Sequence, residues 1–535
     1  MTRLAALASQ AAERGWEACA SLVSEIGAGR CLPSENDTEA CSHGDPWVRC
    51  VGLLVAERTG THAALLEALD DDSEDVAAVA ASRLACSRDR ETLLRGMEGA
   101  RWAEALAAQL ADRGWLPTEA NAAARCAVAL GDWDQAVARG APALAPLQQA
   151  LEAPDHWVRA EAARALGRLG LPVAIPALLR VSGDGNRRVR RHAVEALARF
   201  AHPDAEAAVA RAKGDPDPVV RRAADLAERK VPNNTRQEPC PEGRPPVFVV
   251  GAQRSGTTLL RLILTCHPDL AIPPEGDFLL DLDGLFPGPL GATDLEHFAT
   301  CFQAHEKCRE WGLSEPQVRA TLADLAPASW TQLASIPYRL YAAASGSEGA
   351  RWGDKNPYYV EHLPRLLELF PAAKIVAIHR DPRDVAASVL PLHFGASTAT
   401  RAALAWRSAA RATDAARASW PHSIHELSYE ALTTDPTAAI TNLCAFLGLP
   451  FSPAMLHFHE ENRARGLVPD HRMGWHARTA EPIQTRAVGR WRMDLRPEQV
   501  LAIECVAGKE LARRGYEPLF GLGHDEPAFH LDNPH

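Results

Sequence analysis

The chain lacks several features that would fix its class at once. It has no run of about 18 or more apolar residues, so no segment is predicted to span a membrane. Its formal net charge is −11, which argues against nucleic-acid binding driven by overall charge. Its twelve cysteines include no CxxC pair. That pattern disfavours a zinc site or a disulfide framework and favours reduced thiols in a cytoplasm.

Residues 1–230 are rich in alanine and leucine and show helical periodicity. A short motif recurs at a step of 31 residues, as Asp155–Arg159, Asn186–Arg190 and Asp217–Arg221. Each copy starts with a good helix N-cap residue and leads into an apolar helix. The repeat resembles HEAT repeats and predicts an all-α solenoid of helix pairs, in which stacked neighbours bury one another's apolar faces.

The role of this repeat domain is open at the level of sequence. It is either a scaffold or dimerisation arm, or a concave surface that binds a protein or peptide substrate. The arginines around residues 187–191 are predicted to form a solvated ridge and not a nucleic-acid surface. A proline-rich spacer at 231–245 separates the repeats from a second domain at 246–520, and residues 521–535 are predicted to be a loose tail.

The second domain begins with a strand that runs into a glycine loop. The β-prone residues Val247–Val250 precede Gly251, and an apolar helix starts after Gly256. Backbone N–H groups at such a junction bind phosphate, and the helix dipole adds to the attraction. A nucleoside-triphosphate loop has lysine after its second glycine, whereas this chain has Thr257 there and carries its cation at Arg254. The loop therefore favours a phosphate ligand but argues against an ATPase or kinase.

Two segments resemble sulfotransferases that use 3′-phosphoadenosine 5′-phosphosulfate (PAPS). The loop is similar to the family's 5′-phosphosulfate loop, and the resemblance assigns donor binding to Arg254, Ser255, Gly256, Thr257 and Thr258. The segment 374–388 is similar to the 3′-phosphate site, where an arginine at a strand end and a serine eight residues later hold the phosphate. Arg380 and Ser388 have that spacing.

The resemblance also indicates catalytic residues. Glu275 ends a predicted short second strand and lies 21 residues after Arg254, the spacing of the catalytic glutamate in the tyrosylprotein sulfotransferase branch. An attacking hydroxyl must lose a proton, and a carboxylate suits that task. His379 is a rival base. Lys355 lies in a segment similar to a Lys-x-Pro turn of the family, whose lysine contacts the transferred group. A fixed cation there, together with Arg254, stabilises charge on the leaving phosphate.

Two further residues are assigned to the nucleotide. Tyr429 lies in a unit that resembles a later family strand, and Arg486 lies in a segment similar to the C-terminal loop over the 3′-phosphate, although only part of that pattern is present. Strands and helices alternate through the domain, which predicts a P-loop-like, doubly wound parallel sheet with ligands beyond its strand ends. Residues 281–350 form an insertion in the position where the family places substrate-covering segments.

Together these patterns predict a PAPS-dependent sulfotransferase that forms a sulfate ester and 3′-phosphoadenosine 5′-phosphate (PAP) without a metal. The acceptor hydroxyl is open between a protein or peptide tyrosine, in part bound by the repeats, a carbohydrate and a small phenol. Two other functions remain: a non-catalytic scaffold that senses nucleotide, and a P-loop kinase.

Overall fold

The computed structural model describes residues 3–30, 35–87, 89–99, 103–113, 115, 117–228, 244–327, 329–392, 395–468, 471, 474 and 477–521. Most of the predicted linker, 231–243, and the predicted tail after Gly521 lie outside these residues. The chain forms two compact units, each with segments from both sides of the linker. The first unit is Met1–Ala177, Asp381–Arg407 and Gly489–His535, and the second is Leu178–Arg380 and Ser408–Val488.

Every regular element described before the linker is helical, as the repeat pattern predicts. The α-helices there are Arg3–Arg14, Trp16–Gly27, Pro46–Thr59, His62–Glu67, Glu74–Leu84, Arg90–Gly99, Ala103–Asp112, Ala120–Ala129, Trp133–Ala138, Leu144–Ala150, His156–Leu169, Ile175–Val181, Arg187–Leu197, Pro203–Ala212 and Pro218–Glu228. Short 3₁₀ helices lie at Glu35–Ser42, Ala68–Asp70, Ala141–Ala143 and Pro172–Ala174.

The repeated motif has a local physical role. Its first residue caps a helix: the side chains of Asp155, Asn186 and Asp217 each accept the backbone N–H two residues later at 2.8–2.9 Å. Its last arginine turns back to the carbonyls before the cap, as Arg190 does to Asp184 and Gly185. Each repeat therefore satisfies the free backbone groups at its own helix start, which is why the same residue types recur there.

The predicted solvated arginine ridge is wrong for two of its members. Arg188 and Arg191 are buried, at 6% and 5% exposure. The helix Arg187–Leu197 turns these side chains toward acidic groups of the same compact unit, as described below. The sequence around these arginines predicted solvent exposure because the groups that pair with them lie far away in the chain.

The second unit contains a five-stranded parallel sheet in the order β2-β3-β1-β4-β5. The strands are β1 (Val247–Val250), β2 (Leu270–Ala271), β3 (Arg351–Lys355), β4 (Lys374–His379) and β5 (Ile424–Ser428). The chain leaves central β1 toward β2 and β3, and then crosses to β4 on the other side. The carboxyl end of β1 is thus the switch point, where ligands bind in such sheets.

Both faces of the sheet are covered, which confirms the doubly wound class. In β1, Phe248 and Val250 belong to one apolar core, whereas Val247 and Val249 belong to another. The first core is formed largely by the insertion after residue 281, and the second by the helix after the glycine loop and by Pro436–Leu447. Because both faces are buried, β1 is a continuous apolar run.

Apart from the strands, the regular elements described after β1 are helices. They are Thr257–Thr265, Phe278–Asp281, Ala292–Ala304, Glu306–Arg309, Glu315–Leu325, Trp330–Ala344, Leu363–Leu369, Pro382–Val389, Ala399–Ser419, Tyr429–Thr434, Pro436–Leu447, Phe458–Arg465, Trp491–Asp494 and Pro497–Arg513, with 3₁₀ turns at Pro357–His362, Pro453–His457 and Ala477–Ala480. No helix in the described ranges combines the length and apolar content that crossing a bilayer requires.

Two local predictions differ from the structure. Lys355 does not lie in a turn but ends β3, a strand whose residues are all buried. The second strand stops at Ala271, so Glu275 lies in the segment that follows it and not at its last residue. For Lys355, pairing with Val249 of β1 outweighs the local sequence signal. For Glu275, the pairing of β2 with β3 includes only Leu270 and Ala271, so the strand ends before the glutamate.

Candidate active site

The glycine loop after β1 has a backbone that only certain residues tolerate. Gly251 has φ +145°, and a Cβ there would lie 2.1 Å from the carbonyl oxygen of Ile378. Gly256 has φ +104°, and a Cβ there would lie 2.6 Å from the ring of Tyr429. The loop therefore approaches β4 and Tyr429 closely because both positions lack a side chain.

Between the two glycines, the loop carries polar residues shortly before the helix Thr257–Thr265. Arg254 has φ +67°, an uncommon conformation for a residue with a side chain. Ser255 is fully buried, and its Oγ has no hydrogen-bond partner within the described part of the chain. A buried hydroxyl with no partner is costly, and a ligand oxygen at the helix N-terminus would satisfy it. These residues therefore suit an anionic ligand such as a phosphate group.

Three arginines form a second feature of this edge, the arginine cluster: Arg254, Arg380 and Arg478. Burial lowers the pKa of Arg254, and the positive charges of Arg380 and Arg478 lower it further. The guanidinium of Arg380 lies 4.7 Å from the ring centre of Tyr429 and donates to Arg254 O at 3.5 Å. Like charges gathered at one place are stabilised by an anionic ligand, so the cluster suits phosphate groups.

A carboxylate and two ammonium groups form the third feature. Lys355 Nζ donates to Glu275 Oε2 at 2.6 Å, and Lys307 Nζ donates to Glu275 Oε1 at 2.5 Å. Lys355, at the end of β3, is 5% exposed, whereas Lys307, in the helix Glu306–Arg309, is 37% exposed. Glu275 is therefore held from one side by the sheet and from the other by the insertion.

The charges of this triad set the protonation of Glu275. Burial by itself would raise its pKa, but the ammonium groups of Lys355 and Lys307 outweigh burial and hold the pKa well below its usual range. Burial lowers the pKa of Lys355, while Glu275 opposes that effect. The carboxylate is thus ionised at neutral pH, as a general base must be, but its basicity is low while both lysines contact it.

The segment that carries Glu275 is fixed on both sides. Trp311 Nε1 donates to Pro274 O at 2.9 Å, and Asn356 Nδ2 donates to Gly276 O at 2.9 Å. A Cβ on Gly276 would lie 2.8 Å from the Trp311 ring. Asn356 directly follows Lys355, so the same short stretch supplies the lysine and anchors the chain beside the glutamate.

The structure thus brings several of the predicted residues together. Tyr429 contacts the guanidinium of Arg380 and limits the space at Gly256, and Glu275 pairs with Lys355. Arg486 is more than half exposed and pairs with Glu481. Ser388 lies on the helix Pro382–Val389, in the first compact unit. The Nε2 of His379, the rival base, lies 3.9 Å from Glu426 Oε1.

Two site residues were missed from the sequence. Lys307 has no motif around it, and its partner Glu275 is 32 residues away. Arg478 belongs to a stretch from 461 to 496 that is rich in arginine, a signal that indicates a local anion site but does not select one residue.

Comparison with known proteins places these features in a family. Residues 245–453 match the Sulfotransferase family, and residues 103–188 and 179–231 match HEAT repeats. The chain is similar to an uncharacterised protein of Aquifex aeolicus, at 28% identity over 226 residues, which is 41% of this chain but only 27% of that protein. It is also similar to a putative protein-tyrosine sulfotransferase of Caenorhabditis briggsae, at 26% identity over 46% of this chain and 80% of that protein.

Among solved structures, the chain is similar to the sulfotransferase domain of the Synechococcus PCC 7002 olefin synthase. The identity is 23%, the TM-score is 0.38, and the match covers 53% of this chain and 99% of that one. This chain therefore carries a match to the Sulfotransferase family over residues 245–453, together with matches to HEAT repeats.

Proposed function

We propose that the chain transfers a sulfuryl group from PAPS to an acceptor hydroxyl, giving a sulfate ester and PAP. The observation that carries the proposal is the donor-binding edge: the buried hydroxyl of Ser255 without a partner in the described chain, beside the arginine cluster. Buried donors and cations at a helix N-terminus suit an anionic nucleotide. Thr257, in place of a phosphate-reaching lysine, argues against triphosphate chemistry.

The donor PAPS supplies the sulfuryl group and leaves as PAP. Glu275 accepts the proton of the acceptor hydroxyl as its oxygen bonds to sulfur. Arg254 and Lys355 stabilise the charge that develops on the phosphate oxygen as the sulfur–oxygen bond breaks. Arg380 and Tyr429 hold the nucleotide, and Ser388 and Arg486 remain assigned to it by resemblance.

The contacts of Lys355 suggest an exchange of partners. Lys355 pairs with Glu275, yet its proposed task is at the leaving phosphate. When its ammonium turns to the phosphate, Glu275 loses one of the two charges that depress its pKa, and its basicity rises. Lys307 keeps its contact with the carboxylate and holds it in place. Binding of the donor would in this way activate the base.

For the acceptor, we propose a tyrosine hydroxyl on a protein or peptide, in part bound by the repeats. The spacing of Arg254 and Glu275 supports this choice, as does the similarity to the putative protein-tyrosine sulfotransferase of Caenorhabditis briggsae. A carbohydrate or a small phenol would use the same base and cations. Panel assays with labelled PAPS and a tyrosine peptide, an oligosaccharide and 4-nitrophenol distinguish the three.

The first test is thermal stabilisation by PAP, compared with ADP and with ATP and magnesium. A ligand that binds only the folded state, at 100 times its dissociation constant, adds about 2.7 kcal/mol. A shift with PAP alone supports the proposal. A shift with ATP and magnesium alone makes the chain a P-loop kinase, and no shift with any nucleotide makes it a scaffold that works through its repeats.

A pair of serine variants localises the binding. Ser255→Ala removes the buried hydroxyl assigned to the donor and should reduce the PAP shift. Ser335→Ala is the matched control, because Ser335 is equally buried but its hydroxyl already donates to Gln332 O at 2.8 Å. Equal PAP shifts in both variants would remove Ser255 from the donor site.

A further inference from the structure

The last two HEAT motifs contribute side chains to the insertion that follows Glu275. The helices Arg187–Leu197 and Pro218–Glu228 lie in the same compact unit as the parallel sheet. Their arginines reach backbone and acidic groups between residues 281 and 304 of the insertion. These repeats are therefore part of the catalytic unit and not a separate arm.

Asp281 is the centre of these contacts. Its side chain is 1% exposed, and its Oδ1 accepts from Arg188 Nε at 2.7 Å. Its Oδ2 accepts from Arg187 at 3.2 Å and lies 2.9 Å from His305 Nε2. Burial would raise the pKa of Asp281, but Arg188, His305 and Arg187 outweigh burial and hold the pKa well below its usual range. A buried carboxylate is stable only with such partners.

An arginine of the next repeat helix also contacts the insertion. Arg222 donates to Leu285 O at 3.1 Å and to Asp294 Oδ1 at 2.5 Å, and its guanidinium lies 5.1 Å from the ring centre of Phe286. Val219, one helical turn earlier, belongs to the same apolar core as Phe286. Apolar packing holds the repeat against the insertion, while the directional arginine contacts fix the position of each segment.

These contacts lead directly to the candidate base. His305, bound to Asp281, immediately precedes the short helix Glu306–Arg309, and Arg187 also donates to Ala304 O at 3.3 Å. Two residues after His305, Lys307 contacts Glu275 at 2.5 Å. Side-chain contacts thus join Arg188 to Asp281 and Asp281 to His305, and the short chain segment from His305 to Lys307 connects them to Glu275.

We propose that the last two repeats are positioning elements of the active site. Through Asp281 and His305, they place Lys307 against Glu275, so that the carboxylate stays oriented when Lys355 turns to the donor. Stability alone is a weak reason for a buried ionic cluster, since apolar replacements are often at least as stable. The catalytic consequence rests on the proposed function, whereas the placement of Lys307 does not.

The chain offers a matched control on the same helix. Arg190 makes a two-point ion pair with Asp215, at 2.8 and 2.9 Å, and donates to the carbonyls of Asp184 and Gly185, so its contacts stay within the repeats. Arg188→Met and Arg190→Met each remove one paired arginine from one helix. Only the first removes a contact with the insertion.

The test is the labelling rate of each lysine with acetic anhydride in the full chain, read by mass spectrometry. The sequence has six lysines, so each can be followed. Arg188→Met should raise the labelling of Lys307 several-fold and leave Lys355 and Lys374 unchanged. Arg190→Met should leave Lys307 unchanged. Because the Lys355 side chain is only 5% exposed, its labelling reports general opening of the unit.

Several outcomes would overturn the proposal. These are unchanged labelling of Lys307 in Arg188→Met, or an equal rise in both variants. If Arg188→Met unfolds the chain, shown by faster labelling of Lys355, then Arg188→Lys decides. Arg188→Lys keeps a cation beside Asp281 but has fewer hydrogen-bond donors. The labelling rate of Lys307 alone should therefore rise, by less than in Arg188→Met. An unchanged rate would refute the positioning role of Arg188. Absence of a PAP shift in the wild-type chain would refute the sulfotransferase proposal and leave the labelling result valid.

Discussion

Replacing Glu275 by glutamine removes the proposed base while changing little of its shape. Without the carboxylate, sulfuryl transfer should fall by about 10²–10⁴-fold, the usual contribution of a positioned general base. Nucleotide binding should be kept or strengthened, because Lys355 loses its competing partner and is free to contact the phosphate. The assay is transfer from labelled PAPS to whichever acceptor the panel identifies, with the PAP thermal shift measured on the same preparation.

The stability of this variant follows from the two contacts of the carboxylate. Removing one partner of a buried ion pair costs about 3–5 kcal/mol. Lys355 is 5% exposed and would be left buried without its counter-charge, whereas Lys307, at 37%, can be solvated. We therefore expect Glu275→Gln to lower the free energy of unfolding by about 3 kcal/mol at neutral pH, the lower end of that range.

The stability that Glu275→Gln loses should depend on pH. Since the folded pKa of Glu275 lies below its unfolded value, its contribution is complete above that value and is lost as the pH falls. The difference in unfolding free energy between wild type and Glu275→Gln should therefore become smaller below about pH 4.3, the unfolded pKa of glutamate. Glu315→Gln, at an exposed ion pair with Arg319, is the control and should change stability little. Wild-type turnover in Glu275→Gln would refute the base assignment, and loss of PAP binding would refute the exchange of Lys355.

Three further predictions follow from the site. Lys355→Met should lower transfer by about 10²–10³-fold, since it removes a cation from the leaving phosphate; wild-type rates with labelled PAPS would contradict this. Gly256→Ala should abolish the PAP thermal shift because the added methyl group meets Tyr429, whereas Gly346→Ala, also at positive φ but in open space, should keep it. Burial raises the pKa of Asp354 to about 7, so its ionisation opposes folding and stability should fall between about pH 4 and 7. In Asp354→Asn, the unfolding free energy measured with urea should change less over this pH range. An unchanged pH dependence would refute the raised pKa of Asp354.

Predictions from the sequence held where the signal was local. The apolar runs of β1 and β4 predicted the strands, and the glycines after β1 predicted the loop, because an apolar run buried on both faces and a positive φ leave direct traces in sequence. The HEAT motif was predictable for the same reason, since each copy caps its own helix. The strand β3 was not predicted, because the charged residues of Arg351–Lys355 are typical of exposed chain.

The sequence by itself determined the two architectures, the glycine loop, and the choice of a candidate base and a candidate cation, since short motifs carry each of them. Only the tertiary structure decided that Lys307 is the second partner of Glu275, that Arg478 joins the arginine cluster, and that Arg188 and Arg191 are buried. Those contacts join residues far apart in the chain. Their energy comes from burial and from opposite charges brought together by folding, which no local pattern encodes.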